Sequence, residues 1–330
     1  MPENNNVTSN VNLIEASNLK KYFPMKSGGR RSRQEFVRAV DDVDLIIKRG
    51  SVVGIVGESG CGKSTLARVL INLLPLTSGS ILFDGIDMVG SDKATMKSLR
   101  RRMNMVFQDP FSSLDPRMTV ARIVGEPMVA HKTVKNRREM IERAIDLIEQ
   151  CGLFPDQIYR YPHQFSGGQR QRICIARALA ASPDFIICDE AVSALDVSIQ
   201  AQVINLLMDL QEQHNLTYAF ISHDLNVVRF ISDEIIVMYL GQIVESAPKE
   251  ELFNNPMHPY TIALQAAVPS LDENVDTVVL EGDIPSPTAP PPGCRFHTRC
   301  PKATSECSNP NTPPILKETT PGHFVRCHYA

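Results

Sequence analysis

Residues 57–65 read GESGCGKST, and residues 185–190 read FIICDE. In the first stretch Gly57, Gly60 and Gly62 precede Lys63, Ser64 and Thr65. Glycines let the backbone curl so that successive N–H groups, those of Glu58, Ser59 and Cys61 among them, point inward at phosphate oxygens. Lys63 supplies positive charge for β- and γ-phosphates, and the Ser64 hydroxyl can ligate Mg²⁺. In the second stretch an apolar run ends in Asp189 and Glu190. Buried strands avoid charge, so adjacent carboxylates at a strand end need a reason. A phosphate-bound metal supplies one: Asp189 can hold the metal's shell, while Glu190 can position or deprotonate a water beside the terminal phosphate.

These residues need a scaffold that brings two distant strand ends together. SVVGIVG is an apolar run stopping at glycine, and KSTLARVLINLL follows with helical periodicity, so strand, loop and helix occur in order. Residues 12–23 and 35–49 read as short strands, separated by a basic, glycine-containing loop, PMKSGGRRSRQ. GSILFDGIDM reads as a strand with a turn at Asp84 and Gly85. Residues 92–102 read as a basic helix and MNMVFQ as a strand. Helical stretches near 119–130, 136–152 and 168–180 form an insertion. After it, DFIIC, LTYAFIS and EIIVMYL alternate with helices near 197–213 and 223–232, which predicts a mainly parallel sheet. IPSPTAPPPG, residues 284–293, reads as a proline-rich linker.

A length of 330 residues allows about two domains. The charged fraction of 22% beside 43% hydrophobic residues argues for a folded chain. A net charge of −3 gives no pointer to nucleic acid. No apolar run nears the ~20 residues of a membrane span, and MPENNNVTSN has no secretion-signal pattern, so a cytosolic chain is expected. Of eight cysteines, Cys61, Cys151, Cys174 and Cys188 are scattered and read as small core residues. Cys294, Cys300, Cys307 and Cys327 crowd the tail, where a reducing cytosol disfavours disulfides. Their thiolates suit a [4Fe–4S] cluster or a structural Zn²⁺, although the paired spacing usual for zinc is absent. Free thiols are the third reading.

Ahead of the carboxylates lies HQFSGGQRQRICIARALA. Ser166, Gly167, Gly168 and Gln169 form a second glycine turn opening a helix, able to bind an anion held by a second subunit. With this stretch the sequence resembles the ATPase subunits of ABC transporters from about residue 12 to the C-terminus. GESGCGKST resembles their Walker A loop, FSGGQ their signature motif with Phe165 for leucine, and FIICDE their Walker B strand. Gln108 in VFQDP resembles the Q-loop glutamine, Asp196 in SALD the D-loop aspartate, and His223 in FISHD the switch histidine. Phe23, with Tyr22 beside it, resembles the aromatic that stacks on adenine. Ala191 departs from the proline common after the Walker B glutamate.

The resemblance implies an α/β fold: a P-loop NTPase cassette over 1–265, with a RecA-like mixed sheet, a β subdomain and a helical subdomain at about 109–180, then an extension over 266–330. It implies ATP and Mg²⁺ as ligands, with Ser64, Gln108 and Asp189 on the metal. Glu190, His223, Gln108 and Lys63 would carry hydrolysis, and Ser166, Gly168 and Gln169 would complete the site of a partner.

QDPFSSLDPRMTV, CDEAVSALDVSIQAQ, LFNNPMHPYTIAL and PSPTAPPPGCRFHTRCP resemble the oligopeptide/dipeptide importer branch, and LKKYFPMK its F-type ATPases. That implies a D-type ATPase partner, two membrane permease subunits and an external binding protein, at the cytoplasmic face of the inner or plasma membrane. Nickel and glutathione importers share the branch, and members with this tail resemble Fe–S-bearing ATPases. His258 of the HPY triplet reads, by residue type, as a surface histidine. A soluble ABC-type ATPase or a non-catalytic nucleotide clamp are the competing classes. The absence of a second cassette or a coiled coil weighs against the first, and the presence of Glu190 and His223 against the second.

Overall fold

The computed structural model describes residues 11–25, 35–267 and 282–330. The N-terminal stretch scanned for a secretion signal and residues 26–34 of the basic loop lie outside the described residues. Strands β1 (Asn12–Pro24) and β2 (Phe36–Lys48) alternate buried and exposed positions. β2 thereby sends Val40, Val43, Leu45 and Ile47 into the core. β3 (Val52–Val56) is buried throughout, as expected of a strand covered on both faces. α1 (Lys63–Leu70) stops short of the periodic run because Asn72 adopts a left-handed backbone, φ 52°. β4 (Ser78–Phe83) and β5 (Ile86–Asp87) meet at the Asp84–Gly85 turn, both residues at positive φ, the hairpin geometry such a pair favours.

α2 (Lys93–Arg102) leads into β6 (Met103–Val106). The helical insertion is α3 (Val120–Ala130), α4 (Arg137–Gln150) and α5 (Gly167–Leu179). Then follow β7 (Phe185–Asp189), α6 (Val197–His214), β8 (Thr217–Ile221), α7 (Leu225–Ile231) and β9 (Glu234–Tyr239). β10 (Gln242–Pro248), α8 (Lys249–Asn254) and α9 (Pro259–Ala266) follow, and β11 (Lys317–Thr320) and β12 (His323–Val325) come after them.

One sheet has the order β2-β1-β4-β5 and is antiparallel. The larger has the order β11-β12-β10-β9-β3-β8-β7-β6. Its β9-β3-β8-β7-β6 portion is parallel, and its other pairings are antiparallel. Successive residues of β7 enter different cores. Ile186 and Cys188 pack with the helical insertion, whereas Phe185 and Ile187 pack with β1, β2 and α1. The sheet is therefore dressed on both faces, and its strand ends converge where the glycine loop leaves β3. Cys61, Cys151, Cys174 and Cys188 are buried, and burial pushes the Cys188 thiol up to about 12.

The tail contributes two strands of its own. β12 pairs with the edge strand β10 and β11 pairs with β12, so residues 317–325 finish the main sheet. Beneath that hairpin, fully buried Glu245 accepts His323 Nε2 at 2.8 Å and the amides of Met257 and His258 at 2.7 and 3.0 Å. Segment 284–293 is not a free spacer. The Pro287 carbonyl accepts the N–H of Arg38 in β2 at 3.1 Å. A proline carbonyl is an unencumbered acceptor, and the β2 edge offers an unpaired donor.

Candidate active site

The loop from Gly57 to Gly62 is forced into shape by backbone contacts. Gly57 has φ 148°, and a Cβ there would lie 2.2 Å from the Met238 carbonyl oxygen. Gly62 has φ 113°, with the Ala39 carbonyl oxygen 2.1 Å from an added Cβ. Only glycine tolerates both the left-handed backbone and the approach. Lys63 is buried, and its ammonium donates to the Gly57 and Glu58 carbonyls at 2.7 and 3.1 Å. This holds a positive charge over the mouth of the loop, at the start of α1, where the helix dipole also favours an anion.

A cleft of about 390 Å³ opens here, lined by Phe23, Val37, Ala39, Ser59, Gly60, Gly62, Lys63, Ser64, Thr65, Gln108, Glu190 and Pro287. That volume suits a small organic ligand. Phe23 is on the wall and Tyr22 is not. Adjacent strand residues point to opposite faces, and the Tyr22 hydroxyl is committed to the Asp41 carboxylate. Burial and that bond push the Tyr22 hydroxyl up to about 12.

A second cleft, about 520 Å³, adjoins the first and shares Ser64 and Gln108 with it. Asp189 lies on its floor. The Ser64 hydroxyl donates to Asp189 Oδ1 at 2.7 Å, although the two residues are 125 positions apart. Burial pushes the Asp189 carboxyl upward, opposed by that hydrogen bond and by Arg68, whose guanidinium is 3.9 Å away. Ser64, Asp189 and Gln108 present oxygen donors along one wall, the donor set a hard Mg²⁺ takes.

Glu190 follows with φ 48°. A left-handed backbone in a non-glycine residue is strained, and here it turns the carboxylate from the strand end into the cleft. Gln108 Nε2 donates to Glu190 Oε2 at 2.7 Å. The His223 ring is exposed, with Nδ1 3.8 Å from the same oxygen, beyond hydrogen-bonding distance. Glu190, Gln108 and the loop can therefore address one atom of a bound phosphate, with His223 at the rim.

Ser166, Gly167, Gly168 and Gln169 open α5 through a capping box. The Ser166 hydroxyl accepts from the Gln169 amide at 3.4 Å, and the Gln169 side chain accepts from the Ser166 amide at 3.1 Å. Among the described residues, none of these four lines either cleft. They form a separate turn, with Ser166 exposed and Gly168 buried, and Asp196 lies exposed on another. Its carboxylate caps α6, accepting from Ile199 N at 3.0 Å and Ser198 Oγ at 2.9 Å. Those bonds hold it below the usual carboxylate range.

Sequence reasoning missed the residues behind the loop. Glu58, expected to turn its amide inward, donates that amide to the Tyr260 hydroxyl at 2.9 Å. Its carboxylate is held by Arg299 through two bonds of 2.7 and 3.0 Å. Tyr260 is placed by His258, which is buried rather than superficial. His258 Nδ1 accepts the Tyr260 N–H at 3.0 Å as the cap of α9. Burial holds that imidazole neutral, down to about 3. Arg295 pairs with Asp41 and donates to the Leu240 carbonyl. Burial pushes the Asp41 carboxyl up, but the Tyr22 hydroxyl and Arg295 outweigh this and hold it below its ordinary range. The HPY triplet was the one available signal.

Cys294, Cys300, Cys307 and Cys327 line a common cavity of about 20 Å³, walled also by Phe296 and His258. The space holds about one water-sized sphere, far less than a four-iron cube. Among the described residues, no group of three or more His, Cys, Asp or Glu is placed to hold a metal ion. The spacing therefore brought the thiols into one neighbourhood without a formed ligand cage. No helix among the described residues is long and apolar enough to cross a membrane.

The family model described as "ABC transporter" matches residues 40–193, and "Oligopeptide/dipeptide transporter, C-terminal region" matches residues 244–307. The chain is 52% identical to the oligopeptide transport ATP-binding protein AppF of Bacillus subtilis, over 96% of this chain and 97% of that protein. Among solved structures it is similar to a dimeric ATP-binding cassette in a post-hydrolysis state bound to ADP and Pi. That match has TM-score 0.64 and 31% identity, covering 72% of this chain and 98% of the other. A Clostridium perfringens protein described as part of an ABC transporter complex matches with TM-score 0.64 and 26% identity, covering 74% of this chain and 92% of the other.

Proposed function

The chain belongs to the ATP-hydrolysing subunits of ABC transporters, and on that footing we propose that it powers an importer of di- and oligopeptides. The match of residues 244–307 to the oligopeptide/dipeptide transporter C-terminal region carries the choice of cargo. The working unit is a heterodimer with a D-type ATPase, docked on two permease subunits at the cytoplasmic face of the inner or plasma membrane and fed by an external binding protein. Residues 1–265 act as the ATPase cassette, with the helices of 109–180 as its inserted subdomain, and 266–330 as the importer-type extension.

In this reading the loop 57–65 cradles the triphosphate, Lys63 meets the β- and γ-phosphates, and Phe23 stacks on adenine. Ser64, Asp189 and Gln108 hold Mg²⁺, which neutralises charge on the phosphate oxygens. Glu190 takes up the proton of the attacking water, and its hydrogen bond from Gln108 fixes which carboxylate oxygen faces the cleft. His223 contacts the γ-phosphate from the rim. The turn Ser166–Gln169 and Asp196 complete the partner's site, which accounts for their position away from this chain's own clefts. Rate enhancement comes mainly from positioning and charge stabilisation of an in-line attack.

The test is Glu190→Gln in the assembled complex. Turnover is expected to fall by about 10²-fold or more, as for loss of a general base, with Mg·ATP binding retained. Near-normal turnover overturns the role of Glu190. Co-purification of polytopic membrane proteins, with a peptide eluted from the binding protein, supports the importer assignment. Eluted nickel or glutathione redirects it.

For the tail we propose a structural metal centre on Cys294, Cys300, Cys307 and Cys327, a [4Fe–4S] cluster ahead of Zn²⁺. Support comes from the thiol donor set and its shared cavity. Freshly prepared anaerobic protein containing neither iron with sulfide nor zinc removes that reading.

A further inference from the structure

Residues 282–330 reach the wall of the proposed nucleotide cleft at Pro287, and at several further points they bind residues close in sequence to its lining. Pro287 lines the cleft with Phe23 and pins the Arg38 amide. Arg295, buried, binds Asp41 where Tyr22 also binds it. Arg326 donates to the Asp42 carboxylate at 3.1 Å and to its carbonyl at 3.0 Å. Arg299, with 5% of its side chain exposed, grips Glu58 with both terminal nitrogens.

Glu58 is an awkward residue for a loop that attracts anions. A negative charge beside the loop opposes a triphosphate unless it is turned away and cancelled. Arg299 does both. Its planar fork matches the carboxylate with two charge-assisted bonds, and it approaches from the rear, where Tyr260 already holds the Glu58 amide. The Glu58 carbonyl meanwhile accepts from Lys63. One residue thus links the phosphate-binding lysine to the extension.

We propose that the C-terminal extension is a cis positioning element of the ATP site, in which Arg299 neutralises and orients Glu58 so that the glycine loop accepts a triphosphate. This rests on the reading of residues 57–65 as the ATP cradle. Arg299 acts through Glu58 and is a positioning residue.

The experiment measures KM and kcat for Mg·ATP in the assembled complex. Arg299→Ala is expected to raise KM about tenfold, as for stripping one partner from a shielded charge pair, with kcat changed less than KM. Adding Glu58→Gln removes the stranded charge. The Glu58→Gln/Arg299→Ala chain should therefore match Glu58→Gln alone, with a KM well below that of Arg299→Ala. A merely structural loss in the extension would not be rescued this way, so a double variant as impaired as Arg299→Ala overturns the proposal. So does a wild-type KM in Arg299→Ala. If the alanine variant does not fold, Arg299→Gln carries the same comparison. Lys63→Ala separates the two levels: if it leaves Mg·ATP affinity intact, the cradle reading itself fails. Lost affinity in Lys63→Ala with an unaltered Arg299→Ala refutes the positioning role alone.

Discussion

Tyr260→Phe removes a single oxygen and leaves the ring. The ring sits in a cluster with Tyr239 at 4.8 Å and Phe296 at 5.4 Å between centroids, and phenylalanine preserves that packing. The Glu58 amide then loses its acceptor at 2.9 Å. Tyr260 is fully buried, so water does not readily replace the hydroxyl. An orphaned donor in such a place costs about 1–3 kcal/mol. For a chain of this size that lowers Tm by about 1.5–4 °C. Binding must also restore the loop geometry, so KM for Mg·ATP should rise by about fivefold, roughly 1 kcal/mol. Thermal unfolding with and without Mg·ATP, alongside ATPase titration, reads both quantities. An unchanged Tm together with an unchanged KM would show that the Tyr260 bond contributes nothing to the loop and would refute this account of HPY.

Other outcomes follow from the same geometry. Gly62→Ala places a methyl 2.1 Å from the Ala39 carbonyl oxygen on a φ of 113°; a loss of about 3 kcal/mol or more is expected, with Mg·ATP binding abolished in a filter or calorimetric assay. Asp41 is held below its ordinary range by Tyr22 and Arg295. Its stabilisation is present above its unfolded pKa of about 3.9 and is lost as pH falls through the lower folded value. Denaturant midpoints measured from neutral pH downward should therefore drop more steeply below about pH 4 in the native chain than in Asp41→Asn.

The glycine loop, Asp189 and Glu190 were legible because each announces itself within a few residues of its strand. Their meeting needed only the alternation of strands and helices, and the Ser64–Asp189 bond across 125 positions follows from the parallel strands β3 and β7, which flank β8 and end on the same side of the sheet. The residues behind the loop were not legible. Arg299 and Glu58 are 241 positions apart, and no local pattern pairs a tail arginine with a cradle glutamate. His258 reads as superficial by type. It is buried against Phe296, 5.7 Å away between ring centroids, with its amide held by Glu245 of β10. Tyr22 and Phe23 were separated by strand facing, which two adjacent aromatics leave open until register is known. The strand His323–Val325 is too short for its alternation to register.

That last strand has a bearing on how the molecule is born. During synthesis the ribosome releases β9 and β10 well before residues 317–325, so the β10 edge and the Glu245 carboxylate beneath it stand uncovered until that hairpin emerges. Unpaired edges template unwanted association. A nick ahead of the hairpin would thus yield not a trimmed cassette but a sticky one.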